Sequence, residues 1–454
     1  MPGWASKKKH PHKGKHNVMK TINTLDSIDF GVASSLHQPQ ELKHFSADKQ
    51  AKLASWTIPS RKTEAWKYSA NRLGLNAANI EEASVNVRSA DVTTPYQSAY
   101  SLDSYTVVIR NGQIAGDLPQ HAHLRITRFE DLSPEQCQQV AEGVTASSDQ
   151  LMFADLNAAY LQNGVFIELA DKQTLDKPLK IVFLQQGAEN SFPRVFVSLG
   201  KNAAMTMIEE SATQSGLNSS DLAPASSCAL VNSVTDIRLS ANSQLTYLKM
   251  NLDQDACKHI ASTGVALMRD ARFESYNLAL GNQLNRHDLI VKLLEPGAEC
   301  HLNGMCVTKD RQHVDSHTSI EHVAPHCTSN ENYRCIADDK SQIVFNGRIH
   351  IHPDAQKTLG SMSNKNLLLS SEAEIDAKPE LEIYADDVKC AHGTTIGQLD
   401  ETELYYLQTR GITREQAKLM LTLGFVLELV RACPVTEIAD FWEQTLTTIL
   451  GYKA

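Results

Sequence analysis

Between Gly164 and about Gln398 the chain keeps returning to one pattern, a short run of alternating apolar residues followed by a polar turn that encloses a small residue. Such runs include Val165–Leu169, Leu179–Leu184, Arg194–Leu199, Met205–Glu209, Leu245–Met250, Ala271–Tyr276, Asp288–Leu293 and Ile343–Ile351. The turns include Gly200-Lys201-Asn202-Ala203, Ser240-Ala241-Asn242-Ser243, Arg269-Asp270-Ala271, Glu295-Pro296-Gly297-Ala298, Asp338-Asp339-Lys340-Ser341, Pro353-Asp354-Ala355 and Ser371-Glu372-Ala373. A two-sheet sandwich would join its strands by tight hairpins, for which Asn-Gly is the strongest signal. Few such hairpins occur here. The pattern predicts stacked coils, each adding about 4.8 Å, and so a mainly β chain with a parallel β-helix over 165–399. Two stretches suit stacking. Asn364-Lys365-Asn366 places asparagines where polar ladders form. Glu380–Tyr384 alternates with period two, which predicts one buried and one wet face.

Helical or mixed texture flanks this body. Over 21–164 the expected elements are a helix over Ala47–Trp56 and a break at Pro59. A strand over Tyr105–Arg110 follows, with an Asn111-Gly112 turn. Next come a short helix capped by Ser133 and Gln136 and another over Asp149–Tyr160. Over 400–454 helices return. One ends at Gly411; the next starts with the capping box Thr413–Gln416 and places Ala417, Met420, Leu421, Gly424, Phe425 and Leu427 on an apolar face. Pro434 opens a last helix, Val435–Leu450. This terminal region reads as a cap or as a docking surface.

The formal charge of −10 hides an asymmetry. Residues 1–20 hold six lysines and no acid, and the rest sets 37 basic against 53 acidic residues. An acidic body argues against nucleic acid as the main partner. The head, Lys7 to His16, lacks an apolar face, a signal-peptide core and the pattern of a transit peptide. It reads as a tail or an expression scar, with Met19 as a plausible original start. The nine cysteines form no C-x-x-C pair, and their irregular spacing suggests reduced thiols in a cytoplasmic protein. No apolar run is long enough to span a bilayer. The P-loop, G-x-S-x-G, H-E-x-x-H and Rossmann signatures are all absent, so a self-contained enzyme has little support.

Two constellations carry chemistry. Cys390 and His392 follow the strand-like Leu381–Tyr384, and residues i and i+2 of a strand share a face. Thiolate and imidazole together suit iron, zinc, copper or a persulfide, yet they make only half of a usual metal site. The other half must come from elsewhere in the chain or from a partner. The second constellation is His313, Asp315 and His317, continuing to His322, His326 and Cys327. Three ligands on one strand face would suit the metal of a stand-alone β-helix or cupin-like enzyme. A hydrogen-bonded polar face of the solenoid needs no metal and is the favoured reading. His350 and His352 repeat that geometry.

Four stretches together carry a resemblance. They are Pro59–Tyr68, His313–His317, Lys378–Gly393 and Tyr405–Ile412. The chain after about Thr21 resembles the SufB/SufD family of iron–sulfur cluster assembly scaffolds. The form Asp386-Asp387-Val388-Lys389-Cys390-Ala391-His392-Gly393 resembles its SufD-type members, because the SufB type carries a Cys-Gly-Ala-His-type segment there. The resemblance implies a right-handed parallel β-helix flanked by helical regions and a scaffold that is not itself an enzyme. It also implies pairing of the β-helix with a SufB-like subunit, with a homodimer as a further possibility, and docking of the C-terminal helices on the ATPase SufC. On that surface the expected contact residues are Tyr405, Tyr406, Arg410, Gly411, Met420 and Phe425. The family's motif histidine corresponds to His392, which would hold a transient cluster shared with SufB, and Cys390 lies in the matching segment. No tightly bound cofactor is implied. Ser316 stands where a further histidine is common in the family.

Overall fold

The structure is a computed structural model and describes residues 24–28, 30–32, 38–75, 96–186, 189–213, 230–252 and 257–451. The basic head, Met19 and Cys228 lie outside them.

The repeat reads out as two sheets that the chain visits alternately. One sheet runs, in hydrogen-bonded order, through Lys389–Gly397, Leu359–Leu368, Thr328–Ala337, Glu299–Thr308, Arg272–Leu280, Gln244–Asn251, Ala204–Thr213, Leu179–Gln185, Tyr105–Arg110 and Gln113–Ala115. The other runs through Glu374–Ile383, Gln342–Ile351, His313–His322, Leu284–Leu293, Lys258–Leu267, Leu230–Leu239, Arg194–Leu199, Gly164–Leu169 and Leu124–Arg128. From Gly164 onward every neighbouring pair within a sheet is parallel, as stacked coils require. The solenoid expectation holds. Most strands are longer than their apolar cores suggested, because polar residues extend the ladder at both ends.

The corners explain why one turn type recurs. Where the second sheet hands over to the first, Lys172, Asn202, Asn242, Asp270, Gly297, His326 and Lys357 adopt φ of 55° to 78°. Asn, Asp and Gly enter this left-handed region most readily, which accounts for four of the seven. The N–H groups of Asn202, Asn242 and Asp270 donate to the carbonyls of Ala241, Arg269 and Pro296 in the following corner, at 3.0, 2.9 and 3.1 Å. The turns therefore stack as a hydrogen-bonded column. The next residue points inward and must be small: Ala203, Ser243, Ala271, Ala298, Cys327 and Thr358 are all buried.

The bore is filled by inward side chains such as Val291, Ile320 and Ile349 on one wall and Phe273, Leu302 and Met362 on the other. The N-terminal elements cover the outer face of the second sheet. Trp66, Phe153 and Leu156 pack on Leu230, Ile260 and Leu284. The helices Arg414–Ala432 and Thr436–Leu450 cover the outer face of the first, with Val426, Leu429, Trp442 and Leu446 against Leu248, Leu278 and Val307.

Several local expectations are met, and some shift. Asn111 and Gly112, both at positive φ, turn a hairpin, and Ser133 and Thr413 form complete capping boxes. The first long helix starts earlier than expected, at Gln40 after Pro39, because Leu42 and Phe45 join the buried face. On Arg414–Ala432 the buried residues are Ala417, Thr422, Val426, Leu429 and Val430, and Met420 points outward. Asn364 and Asn366 are buried but stack on no further asparagine. They bond to each other and to Thr394 and Thr395 in the last coil. The face of Glu380–Tyr384 expected to be buried is partly bare, with Ile383 exposed, since no coil follows to cover it. The same strand contains Pro379.

Candidate site at the open end of the solenoid

Cys390 and His392 lie on Lys389–Gly397, the last strand of the first sheet, which pairs on one side only, with Leu359–Leu368. Cys390 stands in register with Gly360, His392 with Met362, Thr394 with Asn364 and Ile396 with Asn366. All four lower residues point into the bore and are buried. The upper four continue the same inward rows, so the thiol and the imidazole share a face as the spacing predicted. With no coil above them, inward-facing side chains become surface. His392 is exposed, Ile396 is half exposed, and Cys390 is half-buried. Among the described residues His392 makes no hydrogen bond or ion pair.

Gly360 determines how Cys390 sits. A Cβ at position 360 would stand 3.3 Å from the Cys390 sulfur, so only glycine leaves the thiol undisturbed above the bore. Burial pushes this thiol above its ordinary range, and a hydrogen bond from the Gly360 backbone partly offsets the rise.

His313, Asp315 and His317 do come together, but as a structural network. Asp315 accepts from Arg286 at 2.7 Å and pairs with His317 at 2.8 Å. Ser69 bridges Asp315 and His313. Arg286 also binds Asp288, donates to the Ala65 carbonyl at 2.7 Å, and lies 4.0 Å from the centre of the Trp66 ring. Burial alone would raise the Asp315 carboxyl; the Arg286 charge and His317 outweigh it and hold it well below the usual carboxylate range. The network thus straps the Glu64–Ser69 segment onto the second sheet. Grooves of about 330 and 350 Å³ flank His317. Lys378 and Arg348 in their walls are paired with Glu64, Glu380 and Glu382. Among the described residues no group of three or more His, Cys, Asp or Glu side chains is arranged to hold a metal ion. His322 and His326 separate, His322 into the bore and His326 into a corner. His350 and His352 stack at 4.4 Å beside Tyr384, at the open end.

On the terminal helices Tyr405, Tyr406, Arg410, Gly411 and Met420 are exposed. Phe425 is half-buried against Arg334, which donates to its carbonyl and pairs with Glu428.

Residues 182–425 match the family model described as SUF system FeS cluster assembly, SufBD core domain. The chain belongs to the SufBD family. The match spans most of the solenoid, the Cys390–His392 strand and the start of the terminal helices. A SufBD family protein of Synechocystis sp. is 28% identical over 85% of this chain and 86% of its own length. The iron–sulfur cluster assembly protein SufD of Escherichia coli is 27% identical over 89% of this chain and 90% of its own. The chloroplastic protein ABCI7 of Arabidopsis thaliana is 26% identical over 93% and 88%. The family model and the Escherichia coli relative are both described by iron–sulfur cluster assembly. No helix among the described residues is long and apolar enough to cross a membrane.

Proposed function

We propose that this SufBD-family chain is a non-catalytic scaffold on which an iron–sulfur cluster is built as cargo between its own His392 and thiolates of a SufB-like partner. Cys390 serves as a second contact for the nascent cluster. The observation that carries the reading is the placement of an unengaged imidazole and a half-buried thiol on a free-edged strand. Half of a metal site at an unfinished sheet edge is completed by a subunit that stacks there. A site divided between subunits also opens when they separate, which allows the cluster to leave.

In this reading 165–399 is the pairing body, and 400–454 docks the ATPase SufC, whose hydrolysis drives the motion in the cytoplasm. The exposed Tyr405, Tyr406 and Met420 support that docking surface, and the opposite face of the helix carrying Met420 is already committed to the solenoid.

The test is reconstitution of the three-subunit complex with His392→Ala, read by bound iron and sulfide. Loss of most of the cluster is expected, whereas a yield equal to wild type overturns the assignment. A Cys390→Ser arm ranks the two contacts. For the ATPase, Tyr405→Ala with Tyr406→Ala is preferable to deleting the helices, since deletion would bare Leu248, Leu278 and Val307. Co-purification of the ATPase should fall at least tenfold, and undiminished association refutes the surface.

A further inference from the structure

Five described cysteines line the bore in the last coils: Cys300, Cys306, Cys327, Cys335 and Cys390. Only Cys306 and Cys335 occupy neighbouring register positions, on Glu299–Thr308 and Thr328–Ala337. Both are 0% exposed. In-register neighbours of a parallel ladder stand about 4.8 Å apart, within the roughly 4.4–6.8 Å that a disulfide spans between Cα atoms. The Asn364 side-chain amide donates to the Cys335 sulfur at 3.8 Å. Continuing the same row, Asn366 and then Ile396 lead to the open end.

We propose that Cys306 and Cys335 are a redox-active dithiol, which a small peroxide oxidises to a disulfide joining two consecutive coils. This inference is independent of the role given to His392. One sulfur attacks hydrogen peroxide: an S–O bond forms, the O–O bond breaks, and one water leaves with the thiol proton. The second sulfur then attacks the sulfenic acid: the S–S bond forms, the S–O bond breaks, and a second water departs. Two thiols and one peroxide give one disulfide and two waters, with both electrons passing from sulfur to oxygen.

The competing use of two thiols is a soft monovalent metal held between two thiolates. That product is an anion buried in the bore, where the nearby Asp315 charge already opposes negative charge on Cys306. A disulfide is neutral and suits the bore. Closing it requires the two coils to draw together, because Cβ atoms of a relaxed disulfide lie closer than the rung spacing. The bond is therefore strained and readily reduced, which makes the modification reversible.

The neighbouring Cys335 thiol and burial hold the Cys306 thiol well above its ordinary range, so oxidation is slow at neutral pH and accelerates about tenfold per pH unit. The test treats the full chain with hydrogen peroxide at pH 7 and pH 8, blocks free thiols, and maps peptides by mass spectrometry. The expected product is a Cys306–Cys335 cross-link, formed faster at pH 8 and reversed by dithiothreitol. Cys306→Ser and Cys335→Ser should each abolish it. The proposal is overturned if both thiols remain free after Cys390 is fully oxidised. It fails equally if the cross-link forms only in denatured protein.

Discussion

The two ends of the solenoid are finished in opposite ways. At the N-terminal end Leu124–Arg128 runs antiparallel onto Gly164–Leu169, and the hairpin Tyr105–Arg110 with Gln113–Ala115 closes the other sheet. Antiparallel caps break the stacking pattern, so no further coil of the same kind can be added there. At the C-terminal end Glu374–Ile383 and Lys389–Gly397 each pair on one side only, and Leu359, Ile383, Tyr384 and Ile396 are exposed. Side chains that would be core in any other coil are surface in this one. The interior coils bury these positions, and the last coil leaves them at the surface.

Paired substitutions should separate the two settings most sharply. Phe345 is fully buried and packs on Tyr333 at 5.0 Å between ring centres. Phe345→Ala should cost about 3–5 kcal/mol of unfolding free energy. Ile396→Ala, in the exposed coil, should stay within about 0.5 kcal/mol for the lone chain. It should nevertheless weaken association with the partner. Urea unfolding and a binding titration read the two effects, and equal destabilisation by both would erase the distinction between the ends.

Acid should act on the interior rather than on the open end. Burial lowers His259 to about 3 and His313 and His322 to about 4. Below about pH 6.5 the unfolded chain takes up protons that the native chain refuses. Stability is therefore full above that pH and falls as pH drops towards 4, by about 2 kcal/mol per histidine at pH 5. Urea midpoints at pH 7.5 and pH 5 check this, and His259→Gln should flatten the slope. Coincident midpoints would contradict it.

The smallest effect concerns the corners. Lys357 holds φ at 61° in the last left-handed corner, a backbone conformation that suits glycine better than lysine. Lys357→Gly should stabilise the fold by about 1 kcal/mol. A loss of stability would instead point to the Lys357–Asp387 ion pair, which links two coils.

The architecture was legible because the corner imposes its demands on sequence: a left-handed residue followed by a small one, at almost every handover. Cys390 and His392 were legible for a similar local reason, since spacing within one strand fixes which face they share. Other features depended on what stacks above or beside them. The outward turn of Met420 depends on how its helix meets the first sheet. The exposure of Ile383 depends on the chain having no next coil, and the His313–Asp315–His317 network depends on Ser69 and Arg286, far away in sequence. The Cys306–Cys335 contact is hidden for the same reason. Twenty-eight residues lie between them, and only the coil length brings them into register.

Pro379 adds a consequence to the open end. A proline lacks the N–H that an interior strand would donate, so it is tolerated in an edge strand and not between two others. The strand that carries it can be a last rung but not a middle one. An unprotected parallel edge would template copy upon copy into a fibre. Here the chain writes its own stop signal into that sheet, and in our proposal the neighbouring edge, with Cys390 and His392, seats a single, chosen neighbour.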